Sequence, residues 1–281
     1  MKTDQTHFGF KQVDREQKAD LVKEIFSNVA KKYDLMNDLM SAGIHRIWKN
    51  KMIEEINLSH PLTKQSEDLS SSSEELTRPN SQDFDFAQPM EASREAARVI
   101  DVAGGTGDIA FRIAKKFPQI KIDVVDINQE MLDVGKNRAI DLNLFSNLNF
   151  TCCNGEELSF ADQTFDFFTI AFGIRNFTNI DKGLTEAYRV LKPGGKFICL
   201  EFAKVNDYFL QKIYDVYSFK LIPKIGEVVL KDRSSYQYLV ESIRKFPPQE
   251  EFKKMIEKAG FKNASYQNLT FGTAAIHVGT K

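Results

Sequence analysis

The segment VIDVAGGTGD at residues 99–108 decides the fold of this 281-residue chain. Its first half, Val99 to Ala103, is an apolar run with the length of a buried strand, and three glycines follow: Gly104, Gly105 and Gly107. Glycine allows a sharp turn and lets a ligand approach the backbone closely. Because helical periodicity begins at residue 108, the segment predicts a strand, a ligand-binding turn and a helix, the opening unit of an α/β sheet.

Downstream of this unit, short apolar runs alternate with helical segments. This alternation is typical of a parallel sheet with helices on both of its faces. We predict helices at 108–117, 128–142 and 179–191 and strands at 120–127, 148–152, 165–172 and 196–202.

The C-terminal part of the chain has a different pattern. A helix at 248–259 ends at Gly260, and two strand-like runs at 262–270 and 273–280 follow with a short connection between them. These runs predict an antiparallel hairpin. A doubly wound, Rossmann-like sheet that ends in an antiparallel hairpin is the architecture of class I methyltransferases, whereas dinucleotide dehydrogenases end with parallel strands. We therefore predict a class I methyltransferase fold of the α/β class with a helical cap.

The domain organisation follows from shifts in composition. Residues 15–58 have helical spacing of apolar positions, with a second helix from His45 to Ile56. Serines at 70–73 mark a low-complexity stretch that we predict to be disordered. The aromatic, apolar stretch at 205–246 is interpreted as a cap that receives an apolar substrate tail. We divide the chain into an N-terminal helical cap at 1–58, an insertion at 59–93 and a methyltransferase domain at 94–281.

Composition excludes several classes of function. The formal net charge is −1, so no overall field attracts nucleic acid, and we predict no nucleic-acid partner. The three cysteines and four histidines lack the spacing of metal ligands, so we predict no metal site. No apolar run approaches the ~18 residues of a membrane-spanning helix. The sequence is typical of a soluble enzyme in a reducing compartment.

A carboxylate follows the glycine turn at the spacing expected of a nucleoside site. Asp126 ends the second predicted strand about twenty residues later, where a carboxylate accepts ribose hydroxyls. The glycines also satisfy a dinucleotide fingerprint, with Ala110 in its last position, so a nicotinamide-dependent oxidoreductase stays an alternative. Asp101 favours S-adenosylmethionine, because a carboxylate at the end of the first strand suits an ammonium group and repels a pyrophosphate.

Several motifs resemble those of the ubiquinone/menaquinone-biosynthesis C-methyltransferases. The glycine loop at 101–108 is shared by many methyltransferases, but FGIRNF at 172–177 and SYQYLVESI at 235–243 are more specific to this family. The resemblance covers nearly the whole chain apart from 59–93. It also includes YDLMND at 33–38, YRVLKPGG at 188–195 and LEF at 200–202.

The resemblance implies a reaction and a set of cofactor ligands. The reaction is the S-adenosylmethionine-dependent methylation of a ring carbon of 2-polyprenyl-6-methoxy-1,4-benzoquinol, and a demethylmenaquinol acceptor is the alternative within the family. One departure is Ala171, where many members carry serine, and we expect the missing hydroxyl to cost at most ~1 kcal/mol. The residues of this chain that match the family's cofactor ligands are Thr106, Asp126, Asn154 and Gly155.

The family also implies a location and partners. The start of the chain, Thr6 to Phe10, resembles the mitochondrial ubiquinone branch, so we expect a place in the mitochondrial matrix, peripheral to the inner membrane. The expected partners are the polyprenyl benzoquinol lipid and other ubiquinone-biosynthesis proteins in a multi-enzyme complex, with a homodimer as a further possibility. A non-catalytic scaffold of that complex is an alternative, against which the intact acidic and basic site residues argue.

Three residues are candidates for the chemistry. A ring carbon is a weak nucleophile unless a neighbouring phenol loses its proton, so the site needs a group that stabilises a phenolate. Arg175 follows the fourth predicted strand, where ligands of open α/β sheets bind, and it can stabilise the oxyanion or hold a water. Asn176 orients the substrate or caps a helix. Glu201 accepts a phenol proton or pairs with Arg175, and we favour the pair.

Overall fold

The computed structural model describes residues 5–29, 37–38, 41, 43–57, 96–205 and 233–281. The predicted insertion at 59–93 and most of the predicted cap at 205–246 lie outside these residues, as do residues 33–36 of the YDLMND motif. The described strands are β1 (Gln5–Phe8), β2 (Lys11–Asp14), β3 (Arg98–Val102), β4 (Lys121–Asp126), β5 (Leu148–Cys152), β6 (Phe165–Ala171), β7 (Leu191–Phe202), β8 (Lys262–Leu269) and β9 (Ala274–Thr280). The described helices are α1 (Arg15–Val29), α2 (His45–Glu54), α3 (Asp108–Lys116), α4 (Gln129–Asp141), α5 (Ile180–Val190), α6 (Arg233–Lys245) and α7 (Gln249–Lys258).

A seven-stranded sheet organises the molecule, with the strand order β5-β4-β3-β6-β7-β9-β8. The pairs within the first five strands of this order are parallel, and β9 lies antiparallel between β7 and β8. The predicted α/β class and the terminal antiparallel hairpin are confirmed. The carboxyl ends of β3, β4, β6 and β7 therefore meet at one edge of the sheet, which is where ligands bind in open α/β folds.

Two apolar layers cover the sheet. One layer contains side chains from α2, α3, α4 and α6 packed on one face, and the other contains side chains from α5 and α7. The strands of the centre are buried on both faces, as in β3, where Val99, Ile100 and Val102 are each at most 1% exposed. Burial on both faces explains why these strands read as continuous apolar runs rather than as alternating ones.

The N-terminal region contains helices at both places where the spacing predicted them. The described part of α1 runs from Arg15 to Val29, and a turn at Gly43 with a φ of 78° precedes α2, which begins at His45 as predicted. The sequence analysis did not predict the antiparallel β1–β2 hairpin, which pairs Gln5 with Asp14. Among the described residues, no helix has the length and apolar character needed to cross a bilayer.

Helix α2 attaches the N-terminal region to the sheet. Met52 is fully buried, and the Trp48 ring lies edge-on to Phe202 at the end of β7, with ring centroids 6.1 Å apart. The indole N–H of Trp48 donates to the Thr270 hydroxyl at 2.8 Å, in the turn between β8 and β9. The helix thus packs beside the carboxyl edge of the sheet.

We expect Met52→Ala to lower the free energy of unfolding by roughly 2–5 kcal/mol, because it leaves a cavity between α2 and the sheet. Chemical denaturation measures this loss. Ile47→Ala on the same helix is the matched control, since Ile47 is 66% exposed, and its effect should stay within about 0.5 kcal/mol. Equal losses in the two variants would contradict the packing of α2 on the core.

Candidate active site

The glycine loop is held in place by the ends of two neighbouring strands. Gly104 N–H donates to the Val125 carbonyl at 3.0 Å, and Gly105 N–H donates to Asp126 Oδ2 at 2.9 Å. A Cβ at position 104 would lie 2.7 Å from Val124 Cγ1, so a side chain does not fit there. Gly107 has a φ of 84° and precedes the first residue of α3. The loop therefore depends on glycine for space and for backbone conformation.

Asp126 lies at the end of β4, with its carboxylate at the main pocket. Besides Gly105, it accepts a hydrogen bond from Asn128 N–H at 2.8 Å through Oδ1. Burial raises the pKa of this carboxyl to about 6, although the bonds from backbone N–H groups oppose the shift. A half-buried, hydrogen-bonded carboxylate is suited to accept the hydroxyls of a ribose.

Helix α1 forms one wall of the main pocket. Ala19, Val22 and Phe26 line it opposite the glycine loop. The Asn128 side chain ties this helix to the domain, because its Nδ2 donates to the Lys23 carbonyl and to the Ser27 hydroxyl, each at 3.0 Å. The other lining residues are Lys23, Val102, Ala103, Gly105, Asp126, Ile127, Asn128, Met131, Cys153, Asn154, Gly155, Glu156, Phe172, Gly173, Asn176, Phe177 and Thr178.

Asn154 and Gly155, which match cofactor ligands of the resembling family, line the same pocket. Asn154 Oδ1 accepts from Glu156 N–H at 3.0 Å, which fixes the turn after β5. A Cβ on Gly155 would lie 2.6 Å from the Phe177 ring. These two residues therefore form the floor of the pocket beside Asp126.

A small chamber adjoins the main pocket, since Ala103 and Phe172 line both. Four of the other predicted cofactor residues line this chamber: Asp101, Gly104, Thr106 and Ala171. Lys49 and Asp108 share this chamber and form an ion pair at 2.8 Å. The expected contact of these four residues with a cofactor thus stays a prediction.

Asp101 is buried at the end of β3, with 1% of its surface exposed. Its Oδ1 accepts from the Thr169 hydroxyl at 2.8 Å, and its Oδ2 accepts no hydrogen bond in the part of the chain that the structure describes. Burial raises the pKa of Asp101 to about 7. Thr106, in the same chamber, uses its hydroxyl to accept from Arg138 at 2.9 Å.

The predicted catalytic residues Arg175 and Glu201 form a buried ion pair. Arg175 Nη1 donates to Glu201 Oε1 at 2.8 Å, and the two side chains are 2% and 1% exposed. The same nitrogen donates to the Phe172 carbonyl, while Nη2 bonds to no described residue. Burial raises the pKa of Glu201, and the attraction of Arg175 opposes that shift. The ion pair that we favoured for Glu201 is therefore present.

Asn176 follows Arg175 in a short turn of 3-10 helix and lines the main pocket. Its Oδ1 accepts a hydrogen bond from the Tyr238 hydroxyl at 3.0 Å, which comes from α6. The helix after Asn176 is capped by Asn179, whose side chain accepts from Lys182 N–H. Asn176 is thus not the helix cap, and its side chain is available to the pocket.

Lys18 is a functional candidate that the sequence analysis missed. It lies on α1 with 1% exposure and donates to the Phe177 carbonyl at 2.8 Å. Burial lowers its pKa to about 8, although the nearby carboxylate of Glu156 opposes this shift. The feature of the sequence that could have identified Lys18 is its position four residues before Val22, on the apolar face of a predicted helix.

The sequence analysis also missed Asn128 and Tyr238, because the residues that they contact are distant in the sequence.

The residues of the main pocket fit an adenosyl cofactor. Asp126 offers acceptors for ribose hydroxyls, and apolar side chains from α1, from β3 and from Ile127 after β4 line the same pocket. Among the described residues, no cluster of His, Cys, Asp and Glu is arranged to hold a metal ion.

A profile of the ubiE/COQ5 methyltransferase family matches residues 11–281. The chain belongs to this family. Proteins called ubiquinone/menaquinone biosynthesis C-methyltransferase UbiE are similar over almost their whole length. That of Brucella canis is 50% identical over 275 residues, which cover 98% of this chain and 90% of the relative. That of Rickettsia bellii is 48% identical over 277 residues, which cover 97% of each protein.

A solved structure supports the fold. A SAM-dependent methyltransferase from Thermotoga maritima superposes with a TM-score of 0.53 at 18% identity, over 92% of this chain and 99% of its own. This protein is a methyltransferase that uses S-adenosylmethionine. The family assignment therefore excludes the nicotinamide-dependent alternative, which rested on the glycine spacing alone. It also excludes the alternative of a non-catalytic scaffold.

The predicted location was wrong. The relatives that carry the family assignment come from the bacteria Brucella and Rickettsia, which overturns the expected place in the mitochondrial matrix at the inner membrane. The segment from Thr6 to Phe10 therefore does not mark a mitochondrial branch. In the structure it belongs to β1 and the turn after it.

We expect the affinity of this methyltransferase for S-adenosylmethionine to fall about tenfold per pH unit below pH 6. In the predicted role of Asp126, its ionised form would accept the ribose hydroxyls, so protonation through a pKa of about 6 would compete with binding. Titration calorimetry between pH 7.5 and 5 measures the profile.

Two variants show whether the pH dependence of cofactor binding comes from the Asp126 carboxylate. Asp126→Asn should bind the cofactor weakly at every pH. Asp133→Asn, which changes an exposed carboxylate on α4, should keep the wild-type profile. An affinity that does not change between pH 7.5 and 5 in the wild-type protein would refute the role of the Asp126 carboxylate.

Proposed function

We propose that this methyltransferase transfers a methyl group to a ring carbon of 2-polyprenyl-6-methoxy-1,4-benzoquinol in ubiquinone biosynthesis. The observation that carries the proposal is the identity of about half of the residues, over nearly the full length, with proteins named ubiquinone/menaquinone biosynthesis C-methyltransferase. The acceptor in this proposal is a lipophilic quinol. Its polar ring would lie at the carboxyl edge of β6, where Asn176 and Phe172 line the pocket.

S-adenosylmethionine supplies an electrophilic methyl group when it is bound. Asp126, Asn154 and Gly155 would hold the adenosyl part, because they line the floor and side of the main pocket. The acceptor phenol would lose its proton to water. The ring carbon would form the new bond to the methyl carbon while the bond from that carbon to sulfur breaks, which releases S-adenosylhomocysteine, and the ring carbon would then lose its hydrogen as a proton. The protein's part is to orient the ring and to stabilise the phenolate.

We propose that Arg175 and Asn176 stabilise the phenolate. Asn176 lines the pocket, and Arg175, the residue before it, is buried. Arg175 stays protonated and is therefore no base, but its Nη2, which bonds to no described residue, is suited to donate to the oxyanion or to a water. Glu201 is proposed as the counterion that fixes the guanidinium, since one of its oxygens accepts from Arg175 and from Phe202 N–H. A buried carboxylate engaged in this way is a poor acceptor for the phenol proton.

Demethylmenaquinol is the second candidate acceptor, because the names of the relatives cover both quinone pathways. Contact with a membrane surface, membership of a multi-enzyme complex and a homodimer stay predictions.

We expect the enzyme to methylate the reduced benzoquinol and to leave the oxidised quinone unchanged. Only the reduced ring carries a phenol whose ionisation makes the neighbouring carbon nucleophilic. Mass spectrometry of the product, with short-chain benzoquinol and demethylmenaquinol in parallel, measures the reaction and compares the two acceptors. Turnover of demethylmenaquinol alone would transfer the proposal to the menaquinone pathway, and turnover of neither would refute it.

We expect the double variant Arg175→Gln with Glu201→Gln to bind S-adenosylmethionine within about threefold of the wild-type affinity and to lose about 100-fold or more in turnover. The paired change removes the guanidinium without leaving one buried charge alone, which would itself destabilise the fold. Calorimetry and the methylation assay together separate the two effects. Turnover near the wild-type rate would exclude a catalytic role for the charge of Arg175.

A further inference from the structure

The contact between Tyr238 and Asn176 has a defined direction. The Tyr238 hydroxyl lies 3.0 Å from Asn176 Oδ1. It has no second hydrogen-bond acceptor among the residues that the structure describes. Tyr238 is 6% exposed. A buried hydroxyl that accepted a bond here would leave its own proton without a partner, at a cost of about 1–3 kcal/mol. Tyr238 therefore donates, and the amide oxygen accepts.

This direction decides what Asn176 presents to the pocket. An asparagine amide has one oxygen, which accepts, and one NH2 group, which donates. Because Tyr238 occupies the oxygen, the NH2 group is the free end, and it bonds to none of the described residues. Asn176 lines the main pocket, so the amide offers a donor there. With the amide turned round, an oxygen would face the pocket and repel an anionic acceptor.

The Tyr238 ring is held from the N-terminal side of the chain. It stacks on Phe8 of β1 with ring centroids 4.3 Å apart and an angle of 26° between the planes. One turn further along α6, Glu241 accepts a hydrogen bond from Phe10 N–H at 2.9 Å. The β1–β2 hairpin thus fixes α6, and α6 fixes the hydroxyl on Asn176.

We propose that Tyr238 is a positioning residue for methyl transfer, which holds the Asn176 amide with its NH2 group towards the phenolate oxygen of the acceptor. This inference deepens the proposed function and rests on it. A hydrogen bond donated to the phenolate stabilises the ionised acceptor, so it lowers the pKa of the phenol and raises the reactive fraction at a given pH. No proton moves to or from Tyr238 in this role.

The test is Tyr238→Phe, which removes the hydroxyl and keeps the ring stacked on Phe8. We expect kcat for the quinol to fall about tenfold, the KM for S-adenosylmethionine to stay within about twofold, and the acid limb of the kcat profile to move to higher pH. A packing role alone would leave the pH profile in place. The matched control is Tyr266→Phe on β8, whose ring packs against His277, and it should behave as the wild type.

The same substitution in an Asn176→Ala protein shows whether Tyr238 affects kcat through Asn176 or independently of it. If Tyr238 acts by orienting the amide, Tyr238→Phe should change kcat less than twofold in an Asn176→Ala protein, because the group that it orients is absent. A full tenfold loss in that background would overturn the inference, as would a Tyr238→Phe protein with wild-type kcat and pH profile.

A spectroscopic probe tests the role of Tyr238 without relying on the proposed reaction. A nitrophenol bound with S-adenosylhomocysteine reports its ionisation by absorbance and needs no turnover. We expect the wild-type site to lower the pKa of the bound nitrophenol and Tyr238→Phe to lower it less. Equal pKa values in the two proteins would overturn the positioning role, whereas a failure of the wild type to methylate either quinol would overturn the proposed function.

Discussion

The hydrogen bond from Gly105 N–H to the Asp126 carboxylate joins the ends of two parallel strands, and the cofactor end of the molecule depends on it. Together with the bond from Gly104 to the Val125 carbonyl, it closes the glycine loop over the edge of β4. The same carboxylate receives Asn128 N–H and thereby sets the start of α4. One side chain thus fixes both the glycine loop after β3 and the start of α4 after β4.

Charged groups are concentrated and buried at this edge of the sheet. Asp101, the Arg175–Glu201 pair and Lys18 have each lost most of their contact with water. Such burial costs stability, and the cost is offset by hydrogen bonds and by the apolar layers on the two faces of the sheet. The pair of Arg175 and Glu201 holds a buried cation in a defined orientation next to Asn176 in the sequence, and Asn176 lines the pocket. Perturbed groups of this kind cluster at functional sites.

The N-terminal residues are part of the site rather than an attachment to it. Helix α1 closes one wall of the pocket through Val22 and Phe26, and the β1–β2 hairpin supports α6 and its Tyr238. Lys18 and the Phe177 carbonyl are 159 positions apart in the sequence, and Phe10 and Glu241 are 231 apart. Contacts over such separations depend on the tertiary arrangement of the sheet and its helices, which local spacing does not encode.

The sequence by itself determined the sheet, the glycine loop and the family. Apolar runs, glycines and helical periodicity are local properties, so they located the strands that flank residues 99–108 and the terminal hairpin, and they placed Asp126 at the pocket. Only the tertiary structure placed Asp101, Thr106 and Ala171 in a small chamber beside the main pocket, and it decided between the two roles that the sequence left open for Glu201. It also brought Lys18, Asn128 and Tyr238 to the site. The physical reason is that a side chain's partner and direction depend on strand order and helix packing, which local spacing does not encode.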